Sequence, residues 1–127
     1  MDDYEAIRQL AARYGRAGDS GDLAGWLDCF APGGSFERPD TGRAFRGHEE
    51  LAAMFGGYGV TGRHLTTDAV IDVAGDTATQ SCYLLFLDAS RDFAPHLVGV
   101  YHDELVRQDG RWRFSRRRLL VDFAAPE

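Results

Sequence analysis

Gly99-Val-Tyr101-His-Asp103-Glu-Leu105-Val-Arg107-Gln-Asp109-Gly110-Arg-Trp112-Arg-Phe114 is the stretch that decides the fold. Asp109-Gly110 stands between two β-rich runs, 97–107 and 112–123. A type I′ hairpin turn needs positive φ at both central residues, and Asp-Gly is a pair that accepts it. Working back from this hairpin, 65–74 and 77–87 are two more long β-rich runs, separated by Gly75-Asp76. The second half is therefore expected to be a four-strand antiparallel meander. The first half differs. Tyr4, Ile7, Leu10, Ala11 and Tyr14 recur at helical spacing, with Gly15 and Gly18 expected to end the helix. Asp22 is placed to cap a second helix carrying Leu23, Trp26, Leu27 and Phe30, which Ala31-Pro32-Gly33-Gly34 should break. Short strands are expected over 35–38 and 42–45, and a third helix over 48–55, stopped by glycines 56, 57 and 59. Helices followed by a meander give an α+β layer architecture. Long antiparallel strands twist and curl, so helices on one face close a cone with a cavity at its open end.

Length and charge bound the function. A chain of 127 residues, 44% hydrophobic and 27% charged, suits a single domain spanning 1–127 with its own core. A net charge of −6 argues against nucleic acid or an anionic membrane as partner. All 14 basic residues are arginine, and neither Lys nor Asn occurs. That excludes a Schiff-base lysine, a Walker lysine, an N-glycosylation site and a Cys-His-Asn triad. The Arg/Ala/Gly bias points to a GC-rich bacterial genome. Met1-Asp2-Asp3 is acidic, and no apolar run approaches the roughly 20 residues of a membrane span, so the expected location is cytoplasmic. Cys29 and Cys82 read as small buried hydrophobes rather than a disulfide or redox pair.

Three residues stand out as chemistry-bearing. Tyr14 and Asp19 lie five apart where the first helix runs out, and His64 precedes the first long strand. An imidazole titrating near ~6.5 can abstract or return a proton, and a carboxylate on its other nitrogen would fix the tautomer. The pair is expected to raise the histidine pKa, with the charge partner outweighing burial. Alternatively, Asp19 caps the second helix and His64 is a strand-edge residue; spacing leaves both open. Trp26, Phe36, Phe55, Tyr83 and Tyr101 are core candidates that a cone pocket would also use as lining. His96 and His102 are too far apart along one strand to share a metal, and His102 is expected to face outward. His48 is expected to cap the third helix. Strict alternation puts Arg116 and Arg118 on the Trp112/Phe114 face, where a buried one would need a carboxylate.

Four segments in order carry a resemblance. Tyr14-Gly-Arg-Ala-Gly-Asp19-Ser-Gly-Asp22 with Trp26 and Cys29-Phe30-Ala31-Pro32 resembles the opening of SnoaL-like and scytalone dehydratase-like proteins. Phe45-Arg46-Gly47-His48, Arg63-His64-Leu65 and the Gly99–Phe114 hairpin resemble their later elements. The resemblance implies a nuclear transport factor 2-like cone and a cofactor-free, metal-free pocket enzyme. Asp19 and His64 match the family's Asp-His pair, and Tyr14 matches a tyrosine that some dehydratases use. Departures exist: Leu87 stands near the place of scytalone dehydratase's second pocket histidine, and Gly18 replaces its tyrosine. Asp88 falls within one residue of the place of an acidic pocket residue of the bile-acid dehydratase, which the resemblance implies as a substrate contact. The implied activity is a dehydratase or polyketide-cyclase type of lyase on an apolar, oxygenated small molecule. The alternatives are an isomerase of the ketosteroid type, or a non-catalytic binding or assembly domain. A homodimer or homotrimer is expected.

Overall fold

A computed structural model describes residues 1–126. Helix α1 (Asp3–Ser20) begins where the Asp2 carboxylate accepts the Glu5 amide at 2.8 Å. It buries Ile7, Leu10, Ala11, Tyr14, Gly15 and Ala17, while Tyr4 stays exposed. The helix runs through Gly15 and Gly18, which were expected to stop it, and ends at Gly21 in the left-handed region, φ 74°. The two glycines serve packing instead. A Cβ on Gly15 would lie 3.4 Å from the His64 Cβ, so the helix approaches the strand bearing His64 closely there. Asp22 caps α2 (Leu23–Asp28), accepting the Gly25 amide at 3.0 Å, as its position implied.

Strand β1 (Phe30–Arg38) starts earlier than its composition suggested, because Pro32 and Gly33 form an exposed bulge inside it. Gly34 is required there: a Cβ would sit 2.7 Å from the Phe114 carbonyl. β2 (Arg43–Arg46) pairs back on β1, and α3 (Gly47–Gly57) follows. The meander is β3 (Gly62–Ala74), β4 (Thr77–Asp88), β5 (Ala94–Gln108) and β6 (Arg111–Ala124). Asp109 and Gly110 have φ of 53° and 74°, the expected hairpin turn.

The six strands form one sheet in the order β2-β1-β6-β5-β4-β3. Every pairing is antiparallel except β1 with β6, which is parallel. The sheet is thus mixed and curled around the three helices, of which α1 and α2 precede it and α3 links β2 to β3, the expected α+β cone. Its inner face and the helices enclose Ile7, Leu10, Phe30, Leu51, Leu105 and Phe114, all essentially inaccessible. Ser115 is an extra residue on β6 between Phe114 (opposite Leu105) and Arg116 (opposite Glu104). This bulge reverses the alternation that follows. Arg117, not Arg116 or Arg118, turns inward, and its side chain is wholly buried against Asp103.

Candidate active site

A cavity of about 580 Å³ lies between the helices and the inner face of the sheet. Asp19, on the last turn of α1, and His64, near the start of β3, meet at its wall. Asp19 Oδ1 lies 2.6 Å from His64 Nδ1, and both carboxylate oxygens accept the His64 backbone N–H at 3.1 Å. An ionised carboxylate only accepts, so Nδ1 carries the proton and Nε2 is left with its lone pair. The ring rests on Phe86, centroids 4.4 Å apart, and a Cβ on Gly18 would lie 3.7 Å from its Cε1. Gly15 and Gly18 thus make the seat for the imidazole.

Burial has the larger say in how this histidine titrates. It holds the His64 pKa below the ordinary 6.5; the Asp19 hydrogen bond and charge pull upward without prevailing, and Arg117 adds to the lowering. The expectation that the charge partner would win is corrected here. The imidazole is four-fifths buried among Phe86 and its apolar neighbours, and the nearby guanidinium opposes a second positive charge. Tyr14 lies on the cavity floor against Trp26, Phe30, Phe114 and Tyr101. Burial pushes its pKa up to about 12, so it stays a protonated hydroxyl.

The sequence matches the family described as the SnoaL-like domain over residues 1–118. The chain belongs to the SnoaL-like domain family. Solved structures agree with it in fold. It is similar to a Mycobacterium tuberculosis protein of unknown function at 36% identity and TM-score 0.87, covering 94% of this chain and 71% of that one. A Nostoc punctiforme protein of unknown function with a cystatin-like fold is 27% identical, TM-score 0.88, covering 98% and 94%. A Novosphingobium aromaticivorans nuclear transport factor 2-like protein is 28% identical, TM-score 0.86, covering 97% and 84%. No curated protein matches the sequence.

Within this SnoaL-like cone the remaining candidates separate. Trp26, Phe36, Phe55 and Tyr101 line the cavity with Tyr14, Asp19 and His64. Tyr83 does not: Leu84 and Phe86 take the inward parity of β4, so Tyr83 projects from the outer face, 56% exposed. Asp88 has inward parity but lies off the cavity, and its Oδ1 is taken by the Ser90 amide at 2.9 Å and hydroxyl at 2.7 Å. It caps the short turn Ala89–Arg91, a structural use of a residue expected to touch substrate. His48 caps nothing; its Nε2 donates to the Phe30 carbonyl at 3.1 Å, tying α3 to β1. His102 faces outward as its parity implied. Among the described residues no group of three or more His, Cys, Asp or Glu side chains is arranged to hold a metal, and no helix is long and apolar enough to cross a membrane. Arg38, Thr41 and Arg43 of the β1–β2 hairpin and Tyr58 after α3 also line the cavity, and sequence reasoning passed over them. Nothing in a short polar hairpin marks it as cavity wall until β1 is seen to border the cone. The position of Arg117 was equally hidden, because no residue pattern announces the Ser115 bulge.

Proposed function

We propose that this chain is a small lyase or cyclase that moves a proton on an apolar, oxygenated small molecule, with His64 as the base. The observation that carries the proposal is the 2.6 Å Asp19–His64 contact at the wall of a cavity lined by several aromatic side chains. A base must be unprotonated before it acts, and burial supports that state near neutral pH. Once the proton arrives at Nε2, the imidazolium forms against Asp19 in a shielded site, where the attraction is stronger than in bulk water.

In the proposed step, Nε2 takes a proton from an activated carbon or hydroxyl of the substrate. The electron pair left behind either expels a neighbouring hydroxyl, which takes the proton back from the His64 imidazolium and leaves as water, or attacks a carbonyl to close a ring, the new alkoxide taking that proton. Tyr14, still protonated where His64 titrates, donates a hydrogen bond to the departing or carbonyl oxygen. Trp26, Phe36, Phe55 and Tyr101 offer apolar wall for the carbon skeleton. Proton transfers alone complete this chemistry, so it calls for no electron carrier.

The test is a panel of hydroxylated polycyclic ketones incubated with the parent protein and with His64→Gln, Asp19→Asn and Tyr14→Phe, followed for loss of water or ring closure by mass and absorbance. His64→Gln should abolish turnover, and Tyr14→Phe should lower it by roughly tenfold to a hundredfold. Turnover that survives His64→Gln would refute the base assignment.

A further inference from the structure

Directly below the cavity floor lies a layer of buried charge. Cys82, Tyr101 and Leu119 stand opposite one another across β4, β5 and β6, and Tyr101 and Leu119 close the cavity from below. The next layer toward the closed end of the cone is Gln80, Asp103 and Arg117. The side chains of Asp103 and Arg117 are both wholly inaccessible. Arg117 Nε lies 3.1 Å from Asp103 Oδ1, but the N–H is not aligned into a hydrogen bond, so the contact is chiefly Coulombic. The other carboxylate oxygen accepts from Gln80 Nε2 at 2.9 Å.

The pair is polarised along the cone. Asp103 meets the stem end of the guanidinium, while Nη2 reaches toward Cys82 Sγ in the floor layer at 3.9 Å and Nη1 has no hydrogen-bond partner among the described residues. The guanidinium carbon lies 3.4 Å from the Tyr101 ring centroid and 4.3 Å from that of Tyr14. Both tyrosines line the cavity on their other side. Among the described residues Asp19 is the one carboxylate at the cavity wall, and it is engaged by His64, while Arg38 and Arg43 stand at the same wall.

We propose that Arg117 is a positioning residue of the cavity: a buried cation beneath its floor, turned toward it, that favours a substrate oxygen carrying or gaining negative charge. The proposal rests on the proton-abstraction reading for its use, since an enolate or alkoxide forms as the proton leaves. Its physical content, a positive potential in the cavity, is separate. The charged groups that face His64 are Asp19 from α1 and Arg117 from β6; Trp26 and Phe86 face it from α2 and β4 without charge. The effect of Arg117 on His64 has the sign that such a potential requires.

The experiment compares the parent with Arg117→Met/Asp103→Leu, which removes both charges, and with Asp103→Asn, which leaves the cation unopposed. A buried pair replaced by apolar residues of similar size often keeps its stability, so the double variant is expected to melt close to the parent. Two readouts need no turnover: histidine NMR titration of His64, and binding of naphthoate against the isosteric, neutral naphthamide. In the double variant the His64 midpoint should rise, and the preference for naphthoate should fall by roughly threefold, the scale of a buried ion pair whose cation is the nearer end. Asp103→Asn should move both in the opposite direction. A folded double variant with parental His64 titration and parental selectivity would overturn the proposal, as would both variants moving the same way. Parental turnover in Asp19→Asn with these shifts intact would fault the Asp19–His64 mechanism and leave Arg117 as proposed. Shifts intact in a protein that turns nothing over would fault the lyase reading and leave Arg117 as proposed.

Discussion

Asp19 does two jobs with one carboxylate, and the two respond differently to substitution. It fixes the His64 tautomer through Nδ1, and it holds the start of β3 to the end of α1 through the His64 backbone N–H. In Asp19→Asn the amide brings hydrogens where only lone pairs stood. With its carbonyl in the place of Oδ1 it keeps Nδ1 and the backbone N–H but sets its NH2 against that N–H; turned over, its NH2 meets Nδ1 and drives the proton to Nε2, where it blocks the base. Turnover should fall by roughly a hundredfold or more. With its upward pull removed, the His64 midpoint should drop further below 6.5 in an NMR titration. The same lowered pKa has a consequence for stability. Between 6.5 and the lower folded value the unfolded chain holds a proton on this histidine that the folded chain does not. Stability is therefore complete above 6.5 and declines as pH falls through that window. The rate should run the same way, rising with pH through the folded pKa and then levelling. Melting curves and turnover across a pH series check both, and His64→Gln should remove this component from the melting curves.

Among the elements, β3 is the one on which the site depends most, and its entry is sterically demanding. Gly62 begins the strand two residues before His64, and a Cβ there would fall 1.7 Å from the Leu87 carbonyl. Gly62→Ala must push β3 off β4 at the point where His64 leaves for the cavity. We expect a loss of about 1–3 kcal/mol or somewhat more in urea unfolding, with weaker Asp19 contact seen as a shifted His64 titration. The elements also show what could be read from residues alone. The β5–β6 hairpin was legible because Asp109-Gly110 has few other uses between β-rich runs. The Asp19–His64 pair was legible as a possibility, since both stand at element ends that a cone brings together. Strand parity failed at Ser115, where a residue of no special type inserts an extra step and turns Arg117 inward. Parity alone separates Tyr83 from the lining set, because Leu84 and Phe86 hold the inward positions of β4. β1 was misjudged because Pro32 and Gly33 signal a break in a chain that simply bulges.

Over the whole molecule, the outer face of the sheet carries two adjacent cross-strand rows of apolar side chains. One is Leu65, Leu85, Val98 and Phe123; the other contains Tyr83, Val100 and Leu120. Leu65, Tyr83, Leu120 and Phe123 are each more than a third exposed. A contiguous patch of this kind is uncommon on a monomer, so we expect it to be covered by a second copy of the chain. Light scattering should give a multiple of 14.1 kDa, and Tyr83→Arg with Leu65→Asp should return the mass to that of one chain. A single-chain mass for the parent across micromolar concentrations would refute this. The parallel pairing of β1 with β6 bears on something else, the order in which the molecule assembles. The β3–β6 hairpins join near neighbours and should form early, whereas Arg113 meets the Asp28 carbonyl across 85 residues of chain. The strand that completes the cone should therefore be recruited late in refolding, after the meander is in place. Pulse-labelled hydrogen exchange should find amides of β4 and β5 protected before those of β1. For some interval the nascent protein is then an open curled sheet without a chamber, and the capacity to hold a ligand is among the last properties it acquires.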